Sequence, residues 1–248
     1  MEPLRINWGG YMEQDTPLLV LENLSIGYNA VLASGISASI HAGEVIAVLG
    51  PSGIGKTTLV RTIAGLVEPI DGRVELRVDK RGGLGYIPQK LGLVRHASVY
   101  HNVNLGARAS LPVLKGGSDE RKKRVNSALS ALGIEEKTTE PVRRLSGGQL
   151  RRVATARALA QRPSLLLADE FLSELDHNTV DVVIAAVKEL LDAGTSIIMV
   201  EHHEENVTLL ATRVWIIEGE KLYDFSIDEW KSYNSSTQVG HHPGGEEE

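Results

Sequence analysis

The stretch Gly50-Pro51-Ser52-Gly53-Ile54-Gly55-Lys56-Thr57 constrains the fold more than any other part of the chain. It fits the pattern G-x-x-x-x-G-K-[ST] at every fixed position. Before it runs Val45-Ile46-Ala47-Val48-Leu49, an apolar run suited to a strand buried on both faces of a parallel sheet. After it, residues 56–66 read as a helix. A strand that turns through glycines into a helix aims backbone N–H groups and a helix N-terminus at one point, which suits an anion. Gly53 and Gly55 keep Cβ atoms out of that approach. Lys56 is then placed to reach β- and γ-phosphates, and the Thr57 hydroxyl is the expected Mg²⁺ ligand. The whole loop, Gly50 to Thr57 with Thr58 behind it, is expected to hold the phosphates of a nucleotide.

The rest of the chain alternates in the same manner. Strand-like runs lie at 18–25, 43–49, 74–78, 85–88, 164–168 and 195–200, and a hairpin over 214–224 turns near Glu218-Gly219. Residues 178–191 carry apolar side chains at helical spacing, and Gly194 closes that helix. Buried strands alternating with helices predict an α/β core on a mainly parallel sheet. From 89 onward the strand-like runs vanish. An amphipathic helix is expected over 118–132 and an Arg- and Ala-rich helix over 149–160. The expected division is a core of 18–88 and 153–231, a helical subdomain over 89–152, a leader over 1–17 and a polar, solvated tail over 232–248.

Composition narrows the function classes. A length of 248 residues with 42% hydrophobic content supports one large core, or one core and a smaller lobe. No run reaches the roughly 18 to 20 apolar residues that cross a bilayer. The leader carries Glu2, Arg5, Glu13 and Asp15 without an apolar stretch, so it does not read as a signal peptide. The net charge of −6, with no basic run beyond Arg121-Lys122-Lys123-Arg124, argues against a nucleic-acid surface. The absence of cysteine excludes disulfides, thiolate metal sites and iron–sulfur clusters.

Two acidic residues close the strand expected at 164–168. Asp169, delivered at the strand end, can bind Mg²⁺ directly or through water. Glu170 would then face the γ-phosphate, where it could orient and deprotonate the attacking water.

Leu145-Ser146-Gly147-Gly148-Gln149, followed by Leu150-Arg151-Arg152-Val153-Ala154, resembles the signature sequence and helix start of the ATP-binding-cassette (ABC) ATPases. The order of motifs is similar to that family from residue 18 to about 224. The resemblance implies a RecA-like P-loop NTPase core, an antiparallel β-subdomain and an inserted helical subdomain. It makes Tyr28 the aromatic that stacks on adenine, and Gln89, after Gly85-Tyr86-Ile87-Pro88, the Q-loop glutamine and a further Mg²⁺ ligand. It assigns Ser173-Glu174-Leu175-Asp176 to the D-loop and His202 to the switch histidine, with the adjacent His203 as the alternative. A lone Tyr, Gln or His would carry little weight; their order around two specific motifs carries it. The chain departs from the family pattern at Phe171 (usually Pro), Glu201 (usually Thr) and His203 (usually Asp). Glu201 is expected to add negative charge near the γ-phosphate and raise the pKa of the switch histidine.

The resemblance further implies two chains meeting head to tail around two ATP molecules. The phosphate loop of one and Ser146, Gly147 and Gly148 of the other would touch the same γ-phosphate, with Gln149 and Asp176 completing the nucleotide contacts. A homodimer is the simplest assembly; a pair with a related ATPase subunit is the alternative. The function expected is ATP hydrolysis as the subunit of an ABC membrane transporter, cytoplasmic and peripheral on the inner face of the membrane. Separate integral membrane subunits would dock their coupling helices beside Gln89 and residues 91–102. Glu140-Pro141-Val142-Arg143-Arg144 does not resemble the Thr-Glu-Val-Gly-Glu-type loop of exporters with fused membrane domains. That favours stand-alone subunits of importers, or of lipoprotein-release and efflux systems. A soluble ABC ATPase of translation or DNA repair is the alternative, and a second cassette, a coiled-coil insertion or a cysteine cluster would have marked it.

Overall fold

The computed structural model describes residues 16–111, 117–173 and 175–239. Alternation builds its first sheet. β1 (Leu19–Gly27) buries Leu19 and Leu21 and, past an irregularity in its pairing, Leu24 and Ile26. β2 (Val31–Ile40) lies antiparallel to it and buries Ala33, Ile36 and Ile40. The chain then makes β3 (Val45–Leu49) and α1 (Lys56–Ile63) before β4 (Asp71–Leu76) returns to the other edge of β1, giving the order β2-β1-β4. This is the antiparallel β-subdomain that the resemblance implies.

β3 belongs to the second sheet. After β5 (Leu84–Ile87), the chain forms α2 (Val99–Ser110), α3 (Gly117–Ala131) and α4 (Gly147–Gln161). It then alternates through β6 (Leu165–Asp169), α5 (His177–Asp192), β7 (Ser196–Val200) and α6 (Glu204–Leu210). The hairpin β8 (Arg213–Glu218) and β9 (Lys221–Ser226) leads into α7 (Ile227–Val239). The strand order is β5-β6-β7-β3-β8-β9, parallel throughout except at the hairpin. Every residue of β6 and β7 is buried, as continuous apolar runs require when both faces are covered. On one face Ile46, Val48, Leu165 and Ile198 join Leu59 of α1 and the β1–β2 side chains. On the other, Ala47, Leu166 and Met199 join Val183 and Val187 of α5 and Trp230 of α7. Register then brings the ends of three strands side by side, with Val200 level with Asp169 on one side and with Val48 on the other.

Several features differ from expectation. α2 was not foreseen, because Val99, Val103 and Ala107 give it only a narrow buried stripe among polar residues; Ser98 caps it by accepting from the His101 N–H. α4 runs through residue 152, so the expected boundary between lobe and core falls within one continuous helix. Residues 232–239, expected as a solvated tail, lie in α7, which Trp230 anchors and where Tyr233 stacks on Phe225 with centroids 5.5 Å apart. Residues 240–248, and all but the last two residues of the expected leader, lie outside the described residues. Among the described residues no helix is long and apolar enough to cross a membrane.

The lobe depends on one close approach. A Cβ added at Gly106 of α2 would stand 1.9 Å from the carbonyl oxygen of Arg157 in α4. Gly106→Ala should therefore destabilise the protein by about 1–3 kcal/mol through overpacking, although alanine favours helix. Thermal unfolding should show a fall in Tm of about 2–4 °C per kcal/mol; an unchanged or raised Tm would show that the helices can separate at little cost.

Candidate nucleotide site

The loop between β3 and α1 is shaped by its glycines. Gly50 has φ 141, and a Cβ there would lie 2.5 Å from the Ile217 carbonyl oxygen, so no side chain fits. Gly55 is the N-cap of α1 and no side chain caps that helix, which leaves its first N–H groups facing the loop. Ile54 packs against the core beneath. Ser52, Gly53, Gly55, Lys56, Thr57, Thr58 and Glu170 line a cavity of about 120 Å³. Lys56 is buried, and its Nζ donates to the carbonyls of Gly50 (2.7 Å) and Pro51 (2.9 Å). Burial lowers its pKa, opposed by the nearby carboxylates of Glu170 and Asp169. The result is a buried ammonium held by two loop carbonyls beside the start of α1.

Asp169 ends β6 with no solvent exposure. Thr57 Oγ1 donates to its Oδ1 at 2.9 Å, while its Oδ2 is buried with no hydrogen-bond partner. Burial pushes the Asp169 pKa up, the Thr57 hydrogen bond opposes this, and the neighbouring Glu170 adds to the rise. An orphaned carboxylate oxygen beside a threonine hydroxyl is a pair of hard oxygen donors that fits Mg²⁺. Gln89, the third expected ligand, makes its hydrogen bond elsewhere: its Nε2 donates to Glu170 Oε2 at 2.6 Å.

Glu170 is held from several sides. Its φ of 51 lies in the left-handed region, a strain of roughly 1–3 kcal/mol for a non-glycine residue. Its N–H donates to the Val200 carbonyl, and its own carbonyl accepts from the N–H and hydroxyl of Ser173. Its Oε1 meets His202 Nε2 at 2.9 Å. Of the two candidate histidines, the structure thus brings His202 to the carboxylate. His203 instead takes the N-cap position of α6. Glu201 is buried, and its Oε1 accepts from the backbone N–H groups of His202 (3.0 Å) and His203 (3.2 Å) rather than from an imidazole. Glu201 thus organises the backbone of the two histidines, and the carboxylate that meets the His202 ring is that of Glu170. Phe171 is driven into the core, only 1% exposed.

Tyr28, just past β1, is 59% exposed. The neighbouring side chains of Tyr28 and Tyr86 raise the pKa of Arg61 in the last turn of α1. The signature residues gather elsewhere. Ser146 caps α4: its hydroxyl accepts from Gln149 N–H, and Gln149 Oε1 accepts from Ser146 N–H in return. Gln149, expected at the nucleotide, is thus engaged in the cap. Gly147 and Gly148 form the first turn, and Gly148 packs beside Asp176 and Thr179. Asp176 caps α5 by accepting from the Thr179 N–H and hydroxyl, which lowers its pKa. Ser146, Gly147, Gly148, Gln149 and Asp176 are absent from the lining of the phosphate-loop cavity. Sequence reasoning gave no role to Arg151 or to Ser173 individually, yet they bond to each other behind Glu170.

A phosphate loop on α1, a buried strand-end Asp–Glu pair and a parallel sheet together define a P-loop nucleotide-binding module. Residues 33–173 match the model of the ABC transporter family. The chain belongs to that family, among its ATP-binding subunits. It is 35% identical over 243 residues to PhnT of Salmonella paratyphi A, whose name describes a 2-aminoethylphosphonate import ATP-binding protein, covering 93% of this chain and 62% of PhnT. It is 35% identical over 221 residues to the Fe(3+) ions import ATP-binding protein FbpC 2 of Haemophilus influenzae, covering 84% and 61% respectively. The chain thus spans about three-fifths of the length of these relatives. The solved structure of cbiO1 from Clostridium perfringens, part of the ABC transporter complex cbiONQ, superposes with a TM-score of 0.73 at 30% identity over 90% of this chain and 94% of that one.

Asp169→Asn tests the cost of the buried carboxylate. A pKa raised in the folded state means that the penalty is absent below the unfolded value of about 3.9 and complete above the folded one. Without nucleotide, Asp169→Asn should therefore melt on the order of a few degrees higher at pH 7, with the gain vanishing below about pH 4. A calorimetric Tm lower than the parent's at pH 7 would contradict this account.

Proposed function

We propose that this chain hydrolyses ATP as the energising subunit of an ABC importer, working as a head-to-tail dimer against separate membrane subunits. The observation that carries the reading is the division of the site. Phosphate-binding, cation-binding and carboxylate groups converge on one cavity, while Ser146, Gly147, Gly148 and Asp176 gather around the start of α4. A second copy supplies what each cavity lacks, with Gln149 bracing the cap that presents the signature turn.

The chemistry follows from the groups in place. Loop N–H groups from Gly50 to Thr58, the N-terminus of α1 and Lys56 bind the phosphate oxygens, and Tyr28 stacks on the adenine. Thr57 and Asp169 would hold Mg²⁺, with Gln89 joining them through its amide oxygen, and the ion when bound would neutralise charge on the β- and γ-phosphates. Glu170 takes a proton from water as the water oxygen bonds to the γ-phosphorus and the bond to the β–γ bridging oxygen breaks, leaving ADP and phosphate. His202 holds the Glu170 carboxylate in register with that oxygen. ATP makes contacts that exist only in the closed dimer, so it shifts the equilibrium towards closure, and hydrolysis removes them.

Membrane coupling has a surface to act on. Leu91, Leu93, Val142, Leu145 and Leu150, with Lys90, Arg95 and Arg143, line a cavity of about 290 Å³ beside Gln89. Coupling helices of the membrane subunits dock there, which places the chain on the cytoplasmic face. The relatives named for phosphonate and for iron import stand at equal identity, which supports import and leaves cargo choice to other subunits.

Glu170→Gln should lower kcat by at least about 100-fold and trap an ATP-bound dimer visible by size exclusion. Tagged Glu170→Gln should co-purify with a polytopic membrane protein from detergent-solubilised native membranes in Mg-ATP. Turnover at the parent's rate would remove Glu170 as the base, and recovery only with ribosomes or nucleic acid would replace the transporter reading with that of a soluble ABC ATPase.

A further inference from the structure

The backbone of Glu170 is tied to the signature helix through two side chains. The Ser173 N–H reaches the Glu170 carbonyl at 3.3 Å, whereas the Ser173 hydroxyl donates to it at 2.7 Å, so the hydroxyl is the principal tie. A serine hydroxyl has one hydrogen to give. With that hydrogen on Glu170, its oxygen accepts from Arg151 Nη2 at 3.1 Å. A charged donor behind a hydroxyl polarises it and strengthens the bond it makes in front. Arg151 follows the capping box of Ser146 and Gln149 by two residues, and its residue surface is only 8% exposed. Keeping a guanidinium there opposes its hydration, which packing alone would not require.

Geometry says what this tie secures. Glu170 sits at φ 51, and such a backbone persists in a non-glycine residue only where its surroundings over-determine it. On the side-chain end the carboxylate is met by Gln89 and His202; on the backbone end the Val200 carbonyl takes the N–H and Ser173 holds the carbonyl. Gln89, Gly147, Leu150, Arg151 and Leu175 border a cavity of about 220 Å³, so the start of α4 has room to shift relative to the segment that follows Glu170.

We propose that Ser173 is a positioning residue for Glu170, and that Arg151 makes its grip depend on where the signature helix stands. Resting on the reading of Glu170 as the base, this makes engagement of the signature turn by a second chain's nucleotide felt at the first chain's own carboxylate. A shift of α4 that draws Arg151 from Ser173 weakens the hydroxyl's hold and lets the Glu170 backbone leave its left-handed pose; docking restores it.

The test is steady-state ATP hydrolysis by the full chain with Mg-ATP for Ser173→Ala, Ser173→Thr, Arg151→Met, the Ser173→Ala/Arg151→Met double variant and Glu170→Gln. Ser173→Ala should lose kcat about tenfold with KM for ATP within about twofold, since it acts on the chemical step and not on binding. Ser173→Thr, which keeps the hydroxyl, should recover to within about threefold of the parent. The double variant should be no slower than the worse single variant, because both remove one tie. Full activity of Ser173→Ala, or multiplicative losses in the double variant, would overturn the proposal, and the Ser173 pair stands alone if Arg151→Met fails to fold. An inactive Glu170→Gln beside a fully active Ser173→Ala rejects the relay alone; normal turnover by Glu170→Gln rejects the relay and the base assignment together.

Discussion

Everything at the site hangs on the parallel pairing of β6, β7 and β3. Because these strands are buried on both faces, each is a nearly continuous apolar run that confines any polar residue to a strand terminus. Asp169 is that residue on β6, and it is carried to zero exposure by the strand behind it. The Thr57 hydroxyl meets it from α1, so a hydrogen bond spanning 112 residues of sequence closes the loop onto the sheet. Moving the register of β6 by one residue would send Asp169 to the opposite face. The sheet therefore fixes the distance between phosphate loop and carboxylates.

The second sheet's edge is fixed by charge as well as by apolar mass. Arg213 on β8 bonds the Glu44 carboxylate just before β3, the Ser39 carbonyl on β2 and the Asp224 carboxylate on β9. One guanidinium thus joins the antiparallel subdomain, the start of the loop-bearing strand and the terminal hairpin. Its pKa is raised because those partners outweigh the cost of its burial.

How much of this could be seen in the sequence depends on whether a feature is local. The phosphate loop, the carboxylate pair and the buried strands were legible because each is a contiguous pattern with its own physics. The capping box of Ser146 and Gln149 is local too, but the same residues were read for nucleotide contact and not for the cap they form. β2 escaped notice since Val31–Ile40 is rich in Ser, Ala and Gly and owes its strand state to β1. Glu201 was placed by charge alone, and only coordinates reveal that backbone N–H groups claim its carboxylate. Arg151, Ser173 and Glu170 each fall in a motif, but nothing in the sequence pairs Arg151 with Ser173 across 22 residues.

The tight crossing of α2 and α4 has a mechanical side. Arg157, next to that crossing, donates to the carbonyls of Leu91 and Gly92, so α4 is also bolted to the segment following Gln89. Between Arg157 and Ser146 the helix is a rod of roughly 16 Å at about 1.5 Å per residue. With backbone pressed on backbone at Gly106, the joint has almost no soft side chain in which to dissipate a push. A tilt of about 10° at Arg157 carries Ser146 about 3 Å along its arc, given that rise per residue. The lobe is then a lever of short input arm and long output arm, and its stiffness is set by the residue with no side chain.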